Sequence, residues 1–160
     1  MSEIVRIEME NGDVLRAELY PDLAPNTVKN FTALVASGFY DGTEFHRVIP
    51  GFMIQGGAGT DGRTAAAIAG EFTENGFRND LAHDRGVLSM ARTSDPNSAS
   101  SQFFIMVDKA PHLDGKYAAF GRVIEGMEAA DAIAARARDH RDCPTESAVM
   151  ARVRMEPAQS

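Results

Sequence analysis

Between Phe45 and Gly57 the chain reads Phe-His-Arg-Val-Ile-Pro-Gly-Phe-Met-Ile-Gln-Gly-Gly, and three of these residues do not suit a buried core. Taken as two strands around the Pro50-Gly51 bend, the run places Arg47 on one side of the first strand and both Met53 and Gln55 on one side of the second. A buried strand would carry an aliphatic side chain at each position. Arg is rare among apolar neighbours unless its planar, always-charged fork has something to hold. The stretch is therefore expected to be functional, with a guanidinium donor and a side-chain amide set beside apolar surface.

Other chemistries fit the residues less well. His46, His83, His112 and His140 stand singly, with no paired spacing and with Cys143 as the only cysteine, so no zinc pattern is present and no metal or cofactor is expected. Ser98, Ser100 and Ser101 could be combined on paper with a distant His and Asp into a hydrolytic triad. Any chain offers such triples, however, and no Gly-x-Ser-x-Gly elbow occurs. Gly56-Gly57-Ala58-Gly59 is glycine-rich, but no Gly-Lys-Ser/Thr follows and no helix begins there to hold a phosphate. Cys143, among Arg141, Asp142 and Pro144, reads as a bystander thiol in a polar loop.

The elements that must position the site are legible on either side of it. Val5, Ile7 and Met9 alternate with charged residues, and after Asn11-Gly12 the alternation resumes at Leu15, Ala17 and Leu19, which predicts a hairpin. Pro25 can open a helix whose apolar face is Val28, Phe31, Leu34 and Val35, with Gly38 just past its end. Ala58 to His83 lacks a lasting period and reads mainly as a long loop, pinned by Phe72 and Phe77 and a candidate wall for a groove. Strands follow over 87–91, 102–107 and 118–124, then a second helix after Gly126 and a closing strand over 149–155. In the 102–107 strand Phe103, Ile105 and Val107 face one way while Phe104 and Met106 face the other, so both faces are covered or one forms a pocket floor. Many strands with one at each end of the chain suggest a closed antiparallel β-barrel with two helices.

Composition bounds the rest. The 160 residues are expected to make one domain over 1–160, with 44% hydrophobic and 24% charged residues as in ordinary globular chains. A net charge of -7 without a basic-aromatic patch speaks against nucleic acid. No segment approaches membrane-spanning length and Met1-Ser2-Glu3-Ile4 does not open a leader, so a cytoplasmic location is expected. No heptads or repeats point to assembly, and a monomer is expected.

The Phe45 to Gly57 run resembles the signature of the cyclophilin-type peptidyl-prolyl cis-trans isomerases, and four further blocks occur in the family's order. They are Gly86-Val87-Leu88-Ser89-Met90-Ala91-Arg92, Ser101-Gln102-Phe103-Phe104-Ile105, Leu113-Asp114-Gly115-Lys116 and Phe120-Gly121-Arg122-Val123. With Ala24 to Phe31 the likeness covers nearly the whole chain, and Met90 to Phe104 is closer to the bacterial branch. The resemblance implies an eight-stranded barrel capped by two helices, and a site with Arg47 and Gln55 as the catalytic pair. It implies a proline pocket of Phe52, Met53, Phe104 and Leu113, with Ala91, Arg92, Gln102, His112 and Tyr117 also along the substrate.

The implied reaction needs no nucleophile or cofactor. Its barrier is the partial double bond of the X-Pro amide, about 18–20 kcal/mol. A guanidinium aimed at the prolyl nitrogen as it turns pyramidal would bind the transition state better than the planar amide. Bringing about a hundred seconds down to about a millisecond takes about 7 kcal/mol, more than one hydrogen bond supplies, so desolvation and grip on the ring must share it. The implied substrates are proline-containing peptides and unfolded chains, and a non-catalytic binding module would use the same groove. Three positions depart from the common eukaryotic pattern: Arg92 stands for Asn, His112 for Trp and Tyr117 for His. Loss of the indole predicts weak cyclosporin binding.

Overall fold

The computed structural model describes residues 3–60 and 62–156. Eight strands form one antiparallel sheet: β1 (Glu3–Met9), β2 (Val14–Leu19), β3 (Phe45–Ile49), β4 (Met53–Gly56), β5 (Val87–Met90), β6 (Phe103–Met106), β7 (Ala119–Glu125) and β8 (Met150–Met155). Their order across the sheet is β3-β4-β6-β5-β7-β2-β1-β8. The opening hairpin forms as its alternation requires, with Val5 opposite Ala17 and Ile7 opposite Leu15, and the inward residues from Val5 to Leu19 are all buried. Gly12 supplies the positive φ of the turn (94°).

Helix α1 (Pro25–Ala36) begins at the expected proline and packs near β8; α2 (Met127–Ala134) packs on β2, β3 and β4. The buried face of α1 is Thr27, Val28, Phe31 and Val35, and Leu34 is only partly covered. Phe31 lies against Tyr40, Phe103 and Phe120, with ring centroids 5.1, 5.4 and 5.1 Å away, at the heart of the core. Ala24 gives α1 no side-chain cap. Instead the buried carboxylate of Glu71 accepts from Asn26 N (3.3 Å), Thr27 N (2.6 Å) and Thr27 Oγ1 (2.7 Å), which fills the orphan donors of the first turn. The long loop is held by this bond and by buried Phe72, whereas Phe77 is only half-buried.

The expectation of a closed barrel is corrected. The sheet is an open half-barrel whose edge strands, β3 and β8, do not pair as a ladder. One bridge, Glu44 to Val149, joins the two ends, with Phe45 N donating to Ala148 O (2.9 Å), Met150 N to Thr43 O (2.8 Å) and Gly42 N to Met150 O (2.8 Å). Beyond it Val48 N donates to Asp142 O (2.7 Å), so the segment before β8 takes the free edge of β3. On the β8 edge, Val153 N donates to the Asp41 carboxylate (2.9 Å), which also holds Arg154. Both edges are thus partly engaged without closure.

The two faces of the β4-β6-β5 region serve two clusters. Phe103 and Ile105 point into the main core, while Phe104 and Met106 join Met53, Val87, Ala110, Leu113 and Ala119 in a smaller cluster outside it. This second cluster is the base of the site.

Candidate active site

Strands β3 and β4 bring the opening pair together, since Arg47 lies opposite Gln55 in their register. The register shifts between Phe45 and Arg47, so His46 is an extra residue in β3. Strict alternation would send Phe45 and Arg47 to the same face. With the bulge, Phe45 and Val48 are both buried, three residues apart, and Arg47 is exposed.

Arg47 edges an open cleft of about 490 Å³ lined also by Phe52, Met53, Gln55, Ala91, Arg92, Phe104, Leu113 and Tyr117. Nine of the eleven residues expected at the site thus share one cavity. Gln102 lines the adjoining cleft with Gln55, Ala91, Arg92, Thr93, Ser98 and Ser100, and accepts from the Gln55 amide (Nε2 to Oε1, 3.0 Å). The amide expected to serve Arg47 is therefore oriented by Gln102. His112 lies outside both linings, exposed, with its ring stacked on Phe52 at 5.8 Å. The loop over 58–83 does not wall the cleft, although Phe72 supports Arg92 from beneath.

Arg92 is held by three hydrogen bonds and two aromatic rings. Its guanidinium lies over the rings of Phe72 and Tyr117, at 4.8 and 4.7 Å from their centroids. It donates from Nε and Nη2 to Lys116 O (3.0 and 2.6 Å) and from Nη1 to Thr93 O (2.9 Å). Arg47 has neither an ion pair nor a side-chain hydrogen bond among the described residues, so its donors are available to whatever enters the cleft.

Behind the floor lies an arrangement that the single-residue reading of the histidines missed. His83 Nδ1 is 3.0 Å from Asp114 Oδ1, and His83 Nε2 is 2.9 Å from Ser89 Oγ. A carboxylate can only accept, so Nδ1 carries the proton, and the Ser89 hydroxyl donates to Nε2. The geometry is that of a hydrolytic triad, built on a different serine from those the sequence offered. Ser89 is 0% exposed, however, and no substrate can reach it. Burial pushes the imidazole pKa down, against the upward pull of Asp114, and keeps the ring neutral. What the array supports is the cleft: the His83 ring stacks on Phe104 at 6.1 Å, and Phe104 meets Tyr117 edge-on at 5.6 Å. Asp114 also accepts from His83 N (2.7 Å), tying the 111–117 segment, which carries Leu113 and Tyr117, to the end of the long loop. The only sequence signal for this was that Ser89 and Asp114 fall within two of the family-like blocks.

Chemically, the cleft has an apolar floor, one unengaged guanidinium and one fixed amide. It holds, among the described residues, no accessible nucleophile paired with a base. Among the described residues no group of three or more His, Cys, Asp or Glu is placed to bind a metal, and no helix is long and apolar enough to cross a membrane.

Residues 4–155 match the family model described as cyclophilin type peptidyl-prolyl cis-trans isomerase/CLD. A peptidyl-prolyl cis-trans isomerase of Arabidopsis thaliana is 48% identical over 130 residues, covering 79% of each chain. One from Acinetobacter baylyi is 49% identical over 134 residues, covering 80% of this chain and 71% of the relative. Among solved structures, a cyclophilin type peptidyl-prolyl cis-trans isomerase of Cryptosporidium parvum superposes with a TM-score of 0.88 at 33% identity, covering 99% of this chain and 100% of that one. The same protein solved in the presence of the dipeptide Ala-Pro gives 0.85 at 35% identity, with 97% and 99% covered. The chain therefore belongs to the cyclophilin-type peptidyl-prolyl cis-trans isomerases, enzymes that speed rotation about the peptide bond before proline.

Proposed function

We propose that Arg47 is the catalytic donor and that the cleft of Phe52, Met53, Phe104 and Leu113 grips the prolyl ring. The observation that carries this is the position of Arg47: a guanidinium without an ion pair or side-chain hydrogen bond among the described residues, at the edge of an apolar floor. Arg16 and Arg85, by contrast, are tied to carboxylates. As the prolyl nitrogen leaves conjugation its lone pair becomes an acceptor, and Arg47 N–H meets it there. The ring stays seated while the residue before it turns. Gln55, held by Gln102, orients the peptide, and Ala91, whose N–H is committed to Gln102 O (3.0 Å), offers its carbonyl to the substrate backbone. Arg92 and Tyr117 form the far wall, and His112 with Phe52 the rim.

On this reading the substrates are proline-containing segments of unfolded or flexible chains, and the protein acts as a cytoplasmic monomer. The Cryptosporidium relative solved with Ala-Pro supports a proline-peptide ligand. His112 in place of an indole leaves cyclosporin a weak ligand.

The test is the cis-to-trans rate of a short X-Pro peptide by exchange NMR, with wild type and Arg47→Ala compared. Removing a donor aimed at developing charge is expected to slow turnover by about 100-fold or more, with the circular dichroism spectrum retained. Equal rates in the two proteins would remove Arg47 from the mechanism.

A further inference from the structure

The charge around the cleft is opposite to that of the protein. The chain carries a net charge of -7, yet among the described residues no Asp or Glu lines the cleft or its neighbour, while Arg47 and Arg92 both stand there. Seven other arginines, among them Arg6, Arg16, Arg85 and Arg154, lie within 4.0 Å of a carboxylate. Among the described residues no carboxylate comes that near to Arg47 or Arg92. The carboxylates on adjoining turns are engaged elsewhere: Asp95 Oδ1 accepts from Asn97 N (2.8 Å), and Asp114 Oδ1 takes two N–H groups of His83.

Arg92 differs from an ordinary surface cation in being fixed. Three of its five N–H groups go to neutral carbonyl oxygens and its guanidinium lies over two aromatic rings, so much of its side-chain entropy is already spent. Two N–H groups and the whole charge are left over. They sit where the two clefts meet, beside Gln55 and Ala91, with the hydroxyls of Thr93, Ser98 and Ser100 along the second cleft. A carboxylate is the peptide group that such a preorganised fork suits.

We infer that this enzyme prefers X-Pro segments carrying an Asp or Glu within two residues of the proline, with Arg92 meeting the carboxylate. The inference rests on the isomerase mechanism proposed above and names the substrate class that mechanism serves. Because the cleft is open to solvent, the expected gain is modest, about three- to tenfold in kcat/KM.

The experiment is a matched set of hexapeptides with one central proline, in which Glu, Gln or Lys is placed in turn at each of the two positions on either side. Rates are taken by exchange NMR at low salt and at 0.5 M NaCl (about a 4 Å screening length), for wild type and Arg92→Asn. Support is a Glu/Gln ratio of about three to ten at one position, Lys slowest there, with the ratio falling toward one in high salt and in Arg92→Asn. The ratio is internal to each protein, so a change in overall activity of the variant does not affect it. Equal rates for Glu and Gln at all four positions would overturn the inference, and so would a Glu preference that persists in Arg92→Asn. Should the reference peptide not be turned over at all, the proposed mechanism fails separately, and the Glu/Gln ratio of peptide Kd values decides the inference.

Discussion

His83 makes the stability of this protein depend on pH in a direction that can be worked out beforehand. Its side chain is 0% exposed, its Nε2 accepts from Ser89 and its Nδ1 donates to Asp114. Burial lowers its pKa in the folded state, whereas in the unfolded chain it titrates near the usual value of about 6.5. Below that pH the unfolded state takes up a proton that the folded state refuses. The contribution of His83 is thus complete above about pH 6.5 and is lost as pH falls from there toward the folded pKa. One proton is worth at most about 1.4 kcal/mol per pH unit, so between pH 7.5 and 5.0 the loss has a ceiling of about 2 kcal/mol. In a domain of this size that is about 4–8 °C in Tm. Urea unfolding at pH 5.0, 5.5, 6.5 and 7.5, on wild type and His83→Gln, isolates this residue from the carboxylates that titrate in both proteins. Wild type is expected to lose stability faster on acidification than the variant. Parallel slopes, or a wild type that gains on the variant at low pH, would show that the folded ring holds its proton and that the assignment of donor and acceptor along Asp114, His83 and Ser89 is wrong.

Two further outcomes follow from named contacts. Glu71→Gln removes the charge at the start of α1 and turns an amide N–H₂ toward the donors of Asn26 and Thr27; about 2 kcal/mol of stability should be lost, and an unchanged thermal melt would mean that the first turn is satisfied in another way. Cyclosporin, titrated calorimetrically, should bind only weakly because His112 stacks flat on Phe52 and presents less surface than an indole; a nanomolar Kd would overturn that reading.

Much of the site was legible because it is local. Arg47, Met53 and Gln55 fall within nine residues, and a guanidinium in an apolar run shows in the residue types alone. Period two separates Phe104 from Phe103 on a strand apolar on both sides, the family resemblance adds the pocket role of Phe104, and the structure places those two rings in different clusters. The pairing of Gln55 with Gln102, 47 residues away, was not legible, because it depends on β4 and β6 being neighbours in the sheet. Nor was the array of His83, Ser89 and Asp114. Each is unremarkable in its own segment, and they meet only when β5 and the turn before β7 fold onto the loop.

The sequence by itself determined the hairpin at Asn11-Gly12, both helices and the strands, since alternation, turn chemistry and capping signals act over a few residues, whereas most of the residues around the cleft were named through the family resemblance. Tertiary structure alone decided that the sheet stays open, because the segment before β8 takes the edge of β3 that β8 would have needed. It also decided the His46 bulge that turns Arg47 outward, the Glu71 carboxylate under α1 and the rings that clamp Arg92. Each of these joins groups that pattern and propensity treat as independent, and only the strand order β3-β4-β6-β5-β7-β2-β1-β8 and the packing on it bring them within bonding distance.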